Sequence, residues 1–534
     1  MATYSKLETA IQKHAEKAKW YIDKKIESIS YVDSILGYTT DFMNNVEKEL
    51  TYEYVFARTG KVFASKVWHA DVNNTSTCER LRDSVGLTCT PSTDTVKGED
   101  DFESASPIFT YKMCNYVADS DGTKRPTVLE GSPAYKTTGN VDVGKVSPTF
   151  WWTSEDHGTY DIVYMSDSPH DELGLKPFKA AVTSNGKILP YYVLSYSASA
   201  TGDDGLPHST MDRAPSYYSR DSIITEYAKK GTGYHGSGSE RLLHGWLMLV
   251  IKYATKSQQT VFKGCSDFNA QHQIQIAETG VKRVLITEAS KYYAGCCVSV
   301  GTIKDSTNKT ERGYDELHSV CNRVRVKSIE SVTISSKTYT ALNLDIDNTI
   351  TTTTDMYVTS MPCYNGETLK VIGHEDGSYL SNTDGRHSFR LCGVEYGNGQ
   401  NFIAADEALV YDAATPAWKL YVATKGKTLA ARSITGMEYV GSITCAKGAN
   451  DGWVGDLRLI PDKQFYLPAN NGLSGSGDSV GVGDYIYWSM ANKQGDTREA
   501  VCCGSLSSGS CAGFGYLLAW YGLAGRSWFF GSAD

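Results

Sequence analysis

The chain has 534 residues, with 52 basic and 61 acidic side chains that give a formal net charge of −9. This length exceeds what one hydrophobic core supports, so we expect roughly two to four domains. The Lys and Arg residues are not clustered, which argues against a nucleic-acid partner, because phosphate binding needs grouped positive charge. The longest apolar run, residues 247–251, is far shorter than the roughly 20 residues that span a bilayer, so we expect no membrane insertion.

The cysteine content indicates a reducing compartment. The chain contains 13 cysteines, an odd number without any CxxC spacing, which fits neither a disulfide-rich secreted module nor a zinc site. The vicinal pairs Cys296-Cys297 and Cys502-Cys503 are poorly placed to bridge each other. Residues 1–6 also lack the apolar core of a signal peptide. We therefore expect free thiols, synthesis in a cytoplasm, no bound metal and no cofactor.

Residues 1–50 are predicted to form a helix that oligomerises. Small or apolar side chains recur there at spacings of three and four, and neither Pro nor Gly interrupts them before Gly37. This eleven-residue repeat predicts a straight or slightly right-handed coiled coil. The repeat does not fix the number of chains, and we expect a homotrimer by analogy with other oligomeric fibrous proteins. An amphipathic helix lying on its own domain is the alternative. The repeating positions are Tyr4, Leu7, Ile11, Ala15, Ala18, Ile22, Ile26 and Ile29.

Short strand and turn signals follow this helix. Residues 61–68 alternate between apolar and polar side chains, and Pro91, Gly98 and Pro107 punctuate the region after them. We therefore predict a β-rich connector over residues 51–145, in which residues 120–139 form a loop.

Residues 146–277 combine a hairpin signal with two helices. Asn185-Gly186 is a strong two-residue turn signal between apolar runs. One helix is predicted from Asp221 to Lys230, where Gly231 stops it, and another from Ser239 to Ala254. The second helix is apolar nearly all round, so we expect it to be buried.

Residues 278–373 carry no helix pattern but repeated alternation of period two, as at 324–326, 332–334 and 342–346. This pattern predicts an inserted small β-barrel or sandwich. Residues 374–534 then continue the domain that the insertion interrupts, so the domain is predicted to be discontinuous. The fold class expected for the whole chain is α+β.

The last 35 residues, 500–534, have an unusual composition. They contain seven glycines, six serines, three cysteines and seven aromatic residues, but only Arg526 and Asp534 are charged. Glycine permits tight turns, while Trp, Tyr and Ser are the residues that dominate antibody binding loops. The segment therefore favours a contact surface, and an apolar hairpin that only closes a core is the alternative.

Residues 504–513 and 527–531 resemble the variable C-terminal repeat of phage tail receptor-binding proteins that retroelements diversify, although family members often carry Trp where this chain has Leu506. In that family the repeat ends a C-type-lectin-like domain related to formylglycine-generating enzymes. The two predicted helices and the turn at residues 392–399 are also similar to that domain. The resemblance implies a receptor-binding protein on the virion, with other virion proteins contacting its N-terminal region and a bacterial surface protein or glycan as its receptor.

The resemblance also implies which residues vary and which are fixed. In the family, variable positions arise from randomised asparagine codons, whereas Trp520 and Trp528 would belong to a fixed scaffold. The residues expected to contact the receptor are Cys502, Cys503, Ser505, Ser507, Ser508, Cys511, Tyr516, Tyr521, Gly525, Ser527 and Phe529.

Two other functions remain open from the sequence. A structural decoration or fibre protein would bury the same C-terminal segment against another virion protein. A formylglycine-generating type of oxidase would use a cysteine pair to bind copper, which draws attention to Cys502, Cys503 and Cys511. These thiols have Gly, Ser and Leu as sequence neighbours, and no His follows His387, so binding without catalysis is the expectation. The sugar-binding triplets of calcium-dependent lectins are absent, which makes the lectin resemblance one of scaffold.

Overall fold

A computed structural model describes residues 46–50, 53–55, 57–92, 96–302, 317–370, 376–378, 384–444, 451–472, 475, 480–488, 493–527 and 530–533. The predicted coiled coil lies outside these residues, apart from its last five. Residues 46–50 and 53–55 are helical, and Val46, Leu50 and Tyr54 pack against a sheet that includes Cys114 and Tyr191.

Strands dominate the described part of the chain. The first eleven are β1 (Val62–Trp68), β2 (Glu79–Arg82), β3 (Lys112–Ala118), β4 (Lys124–Leu129), β5 (Val143–Pro148), β6 (Trp151–Asp156), β7 (Tyr160–Ser166), β8 (Lys176–Pro177), β9 (Tyr191–Ser195), β10 (Ala200–Thr201) and β11 (Pro207–His208). The next eleven are β12 (Gln271–Gln273), β13 (Glu278–Val281), β14 (Arg283–Ile286), β15 (Cys297–Thr302), β16 (Cys321–Ile334), β17 (Lys337–Leu344), β18 (Ile350–Thr352), β19 (Met356–Met361), β20 (Asp376–Ser378), β21 (Phe389–Leu391) and β22 (Val394–Tyr396).

The remaining strands belong to the C-terminal part, and the α-helices are few. These strands are β23 (Asn401–Asp412), β24 (Ala417–Ala423), β25 (Met437–Ile443), β26 (Gly452–Trp453), β27 (Asp456–Ile460), β28 (Phe465–Ala469), β29 (Tyr485–Tyr487), β30 (Thr497–Cys503), β31 (Gly513–Leu518) and β32 (Phe530–Gly531). The helices are α1 (Asp101–Ala105), α2 (Arg220–Tyr227) and α3 (Ser239–Tyr253). The protein is therefore a β-rich α+β fold.

Four sheets carry most of the strands. The first has the order β2-β1-β7-β6-β8 and the second the order β4-β3-β5-β9. The third, with the order β12-β19-β15-β16-β17-β14, contains the strands predicted as an insertion and has its own apolar cluster. The C-terminal sheet has eight strands, in the order β25-β24-β23-β30-β31-β29-β26, with β32 beside β23.

Two expectations about the first half of the chain need correction. Strand β4 lies inside residues 120–139, which were predicted to be a loop, and forms a hairpin with the preceding strand β3. Its sequence contains Pro126 and several polar residues, which an edge strand tolerates, so it carries no clear strand pattern. Residues 51–145 also do not form a sheet of their own. Strand β1 pairs with β7, and β5 pairs with β9, so both sheets cross the boundary predicted at residue 145.

The two predicted helices are present, and local capping explains where they begin. Ser219 and Ser222 form a capping box at the start of α2, which a short 3₁₀ turn extends to Lys230. The start of α3 is capped from a distant strand, because the Asp406 carboxylate accepts hydrogen bonds from the backbone N–H groups of Gly238, at 2.7 Å, and Ser239, at 3.2 Å. A turn also forms at Asn185-Gly186, but it spans three residues, because the Gly186 backbone N–H donates a hydrogen bond to the Thr183 carbonyl and Gly186 itself has φ +82°. The apolar run before it contains a 3₁₀ turn at Lys179–Ala181.

Helix α3 is the centre of the main core. All its residues except Glu240 and Tyr253 are buried, as its apolar composition predicted. It contacts strands β1 and β9 from the N-terminal sheets and strands β23, β28 and β31 from the C-terminal part. Among the described residues, no helix is both long enough and apolar enough to cross a membrane.

We expect Gly245→Ala to destabilise the protein although alanine is the better helix former. A Cβ atom at Gly245 would lie 2.5 Å from Phe514 Cζ and 3.0 Å from Tyr396 Cζ, so two buried rings would have to shift. Overpacking of this kind costs about 1–3 kcal/mol, which outweighs the gain of about 1 kcal/mol in helix propensity.

The measurement is the midpoint of urea unfolding. Gly522→Ala is the matched control, since the space around Gly522 is open. A Gly245→Ala midpoint equal to or above that of the unsubstituted protein would contradict this packing.

Candidate functional site

The C-terminal segment supplies the inner strand β31, the end of the inner strand β30 and the short β32 to the eight-stranded sheet. Strand β30 lies between β23 and β31, and β31 pairs in parallel with β29, where Tyr487 is opposite Leu518. Strand β29 in turn pairs with the two-residue edge strand β26, where Trp453 is opposite Tyr485. Most of the segment is therefore framework, and its surface consists of the loops after β30 and β31 and the edge beside β29.

Glycine is required in β31 because a carboxylate lies directly against it. Asp484 is fully buried, and its Oδ2 accepts a hydrogen bond of 2.8 Å from the Gly515 backbone N–H. A Cβ atom at Gly513, which has φ +154°, would lie 2.3 Å from Asp484 Oδ1. Burial raises the pKa of Asp484 well above its usual value, which favours the protonated acid. The close approach fixes β31 against the loop that precedes β29.

Four of the eleven predicted contact residues are buried within the chain. Tyr516 is 5% exposed and packs in an apolar cluster with residues of α2 such as Ile223. Cys502 lies on the opposite face of the sheet, in the main core. Ser505 and Ser527 are also buried. The expectation that these four side chains meet a receptor is wrong for this conformation, because protein atoms already cover them.

Six others are half-buried, and they are not all close together. Ser507 and Ser508 lie in a turn in which Ser508 Oγ accepts a hydrogen bond of 2.9 Å from the Ser505 backbone N–H. Cys511 follows this turn and accepts a 3.4 Å hydrogen bond from the Tyr487 hydroxyl. The remaining half-buried residues are Cys503, Tyr521 and Gly525. Phe529, the eleventh predicted residue, and Trp528 lie outside the described residues.

Tyr521 and Gly525 lie in the loop after β31. The Tyr521 ring packs edge-on against Phe530, with centroids 4.8 Å apart, and its carbonyl accepts a hydrogen bond from the Glu499 backbone N–H. A Cβ atom at Gly525 would lie 2.7 Å from Tyr521 Cβ, so a larger residue there would disturb the loop. Gly525 is therefore a framework position.

The surface near this segment is formed by an aromatic strip, which we define as Trp453, Tyr485, Tyr487 and Trp520. Successive ring centroids are 4.8 Å apart for Trp453 and Tyr485, 4.5 Å for Tyr485 and Tyr487, and 5.8 Å for Tyr487 and Trp520. Trp520 is 52% exposed, and the other three residues are half-buried. The buried Tyr516 ring lies 5.8 Å from Tyr487 and supports the strip from below.

Trp520 was predicted to be a fixed residue of the scaffold, yet it is 52% exposed. None of the four residues of the strip belongs to the predicted contact set. Tyr485 and Tyr487 flank the buried Ile486, so strand alternation places both rings on one face, and this signal is present in the sequence. No local signal identifies Trp453, because only the pairing of β26 with β29 brings it beside Tyr485.

The surroundings of Cys502, Cys503 and Cys511 disfavour the ionised thiolate form. Burial raises the pKa of Cys503 to about 12, although the nearby Arg241 guanidinium partly opposes this shift. Burial also raises the pKa of Cys502 and Cys511. The thiols are therefore protonated at neutral pH, whereas a copper site of the oxidase type needs thiolate ligands.

The buried residue Glu499 makes the free energy of unfolding depend on pH. Its backbone N–H donates a hydrogen bond to the carbonyl of Tyr521, in the loop after β31. Burial raises the pKa of Glu499 from 4.5 to about 8, although the Arg220 backbone N–H donates a hydrogen bond of 3.0 Å to its Oε2. The folded protein therefore holds this proton more tightly than the unfolded chain does. The contribution to stability is fully present below about pH 4.5 and is lost as the pH rises through about 8.

We expect Glu499→Gln to remove this loss, because the amide cannot ionise. The thermal midpoint of Glu499→Gln should exceed that of the unsubstituted protein at pH 9, and the difference should shrink at pH 5. The exposed residue Glu130 provides the control Glu130→Gln. Equal differences at both pH values would show that Glu499 does not carry the pH dependence.

Comparisons of the chain with protein-family models, with curated proteins and with solved structures found no match.

Proposed function

We propose that this protein is a phage virion adhesin that attaches the particle to a bacterial surface receptor, a protein or a glycan, through the aromatic strip. In this proposal the C-terminal sheet, α2 and α3 belong to a C-type-lectin-like scaffold. The N-terminal region forms a homotrimer and contacts other virion proteins. The protein acts by binding and carries out no reaction.

The exposed strip is the single observation that carries the proposal. Aromatic rings bury a large flat area on contact and lose little conformational entropy, so they dominate the energy of many interfaces. The Tyr hydroxyls and the Trp N–H add hydrogen-bonding groups at the ring edges. A half-exposed Trp at the end of a continuous row of rings is costly to leave in water, and such surfaces usually mark a binding site.

The rigidity of the surroundings supports the same function. Strand pairing holds three of the four strip residues, and the buried Tyr516 supports Tyr487 from below. A preorganised surface loses less entropy on binding than a flexible one. The turn that contains Ser507 and Ser508 lies near the strip, because Cys511, which follows the turn, accepts a hydrogen bond from the Tyr487 hydroxyl.

The arrangement of the helices and the insertion supports the scaffold assignment. Helices α2 and α3 precede the six-stranded inserted sheet, and the C-terminal sheet follows it. At the junction, the buried Glu395 carboxylate accepts hydrogen bonds of 3.0 Å from the backbone N–H groups of Gly366 and Thr368. Glu395 belongs to residues 392–399, the turn that resembles the family. Its hydrogen bonds therefore connect this turn to the end of the inserted segment.

We expect Trp520→Ala to weaken binding of the purified protein to bacterial cells about 30-fold, since an aromatic anchor of an interface contributes about 2 kcal/mol. Fluorescently labelled protein is first screened against a panel of bacterial strains, and the affinity of each variant is then measured on a strain that binds. Tyr487→Ala should also reduce the affinity.

Tyr439→Ala is the matched control, because Tyr439 is 45% exposed on β25, at the opposite edge of the same sheet. Equal binding of Trp520→Ala and the unsubstituted protein would contradict the adhesin proposal. Unchanged adsorption together with poor incorporation of Trp520→Ala into particles would instead indicate the structural role.

Deletion of residues 1–45 tests the oligomer. We expect the shortened chain to be monomeric and to bind cells at least 10²-fold more weakly, because linked sites raise the effective concentration. Sedimentation velocity gives the mass, and the cell-binding assay gives the affinity. A shortened chain that keeps both the mass and the affinity of the full chain would contradict the trimer.

A further inference from the structure

A cluster of side chains of the kinds that bind metal ions lies at one end of the first sheet and includes no residue of the aromatic strip. His69 follows β1 directly, Asp156 is the last residue of β6, and Asp161 is in β7. One ligand atom from each residue lies within 4.8 Å of the other two. The two aspartates come from neighbouring strands and His69 from the end of a third, and backbone pairing places them together.

The strand register holds the cluster in position. Asp156 lies directly opposite Asp161 across the β6–β7 hairpin, and Asp161 lies opposite Val67 of β1. The His69 backbone N–H donates a 3.0 Å hydrogen bond to the Thr159 carbonyl, which ties the end of β1 to the hairpin loop. The Asp156 Oδ1 accepts a hydrogen bond from the Gly158 backbone N–H at 2.7 Å, which orients that carboxylate.

The charges of the cluster are only partly balanced by the protein, because a hydrogen bond between His69 Nε2 and Asp161 Oδ1 is the cluster's one contact with a basic side chain among the described residues. Two carboxylates directly opposite on neighbouring strands repel each other. Within the described ranges, no Lys or Arg forms an ion pair with Asp156 or Asp161, and His69 alone contacts Asp161. The buried lysine Lys256, whose Nζ donates a hydrogen bond to the carbonyl of Trp68 beside His69, is paired with Asp456 instead. A divalent cation would convert the repulsion into attraction.

The distance between His69 Nε2 and Asp161 Oδ1 is 3.1 Å. Two ligands that each lie about 2.1 Å from one ion, at tetrahedral or octahedral angles, are about 3.0–3.4 Å apart. The pair therefore already has the spacing of two adjacent ligands of a single ion. Asp156 is exposed, so its carboxylate can become the third ligand if it gives up or shares its hydrogen bond with the Gly158 backbone N–H, and solvent can fill the remaining positions.

We propose that His69, Asp156 and Asp161 form a binding site for a divalent transition-metal ion of the Zn²⁺ or Mn²⁺ class. An imidazole with two carboxylates suits these ions, whereas Ca²⁺ and Mg²⁺ prefer sites made only of oxygen. The bound ion joins the end of β1 to the β6–β7 hairpin and so stabilises the first sheet. This site is independent of the adhesin proposal.

The test uses the full-length protein after treatment with a chelator. Equilibrium dialysis against low-micromolar Zn²⁺ or Mn²⁺, followed by elemental analysis, should give one ion per chain, and the ion should raise the thermal midpoint. Asp156→Asn and His69→Ala should each weaken binding at least tenfold. Asp156→Asn is the decisive variant, because it changes an exposed residue and leaves the contact between His69 and Asp161 intact.

His170→Ala is the matched control. His170 also contacts a carboxylate, with 2.8 Å between its Nδ1 and Glu172 Oε1, but it belongs to no such three-residue cluster among the described residues. Binding in His170→Ala should equal that of the unsubstituted protein. The proposal is overturned if no ion binds, or if Asp156→Asn and His69→Ala bind as well as the unsubstituted protein, which would indicate an adventitious ion only. Equally tight binding of Mg²⁺ would also overturn the stated metal class.

Discussion

The structure depends on covering a helix that has almost no polar face. Helix α3 can be stable only if sheets surround it, because each exposed apolar side chain would cost about 1.5–3 kcal/mol relative to burial. Strands from both halves of the chain therefore pack on it, so those halves share one core. A buried polar network fixes the helix against β5 and β9, since Lys145 Nζ contacts the Tyr192 hydroxyl at 2.7 Å and His244 Nε2 at 3.1 Å.

This shared core determines which parts of the C-terminal segment are free to make contacts. Strands β30 and β31 pack on one face against α3 and on the other against α2, so alternate side chains such as Cys502 and Tyr516 are buried on opposite faces. Variation at such positions would change the core and carries the cost of cavities or overpacking. The strand edge and the loops are not constrained in this way, and Trp520 lies in one of those loops.

The sequence was most informative where structure is local. Helix α3 has a continuous apolar pattern, and α2 begins at its own capping box, so both were predicted from neighbouring residues. The loop predicted over residues 120–139 was wrong, because the edge strand β4 contains Pro126 and polar residues that give no clear strand pattern. The pairing of β1 with β7 was not predicted, because these strands are distant in the chain. The same reason explains the candidate sites. Tyr485 and Tyr487 could have been found from strand alternation, whereas Trp453, His69 and Asp161 could not.

By itself, the sequence determined the β-rich α+β class, the two longer helices, the absence of clustered positive charge and the aromatic, glycine-rich character of the C-terminal segment. These properties depend on composition and on periodicity over a few turns. Only the tertiary structure decided that Tyr516 is buried while Trp520 is exposed, and that His69 lies beside two aspartates from a hairpin more than 80 residues away. Exposure and side-chain contacts depend on strand register and sheet packing, which join segments that the linear sequence keeps apart.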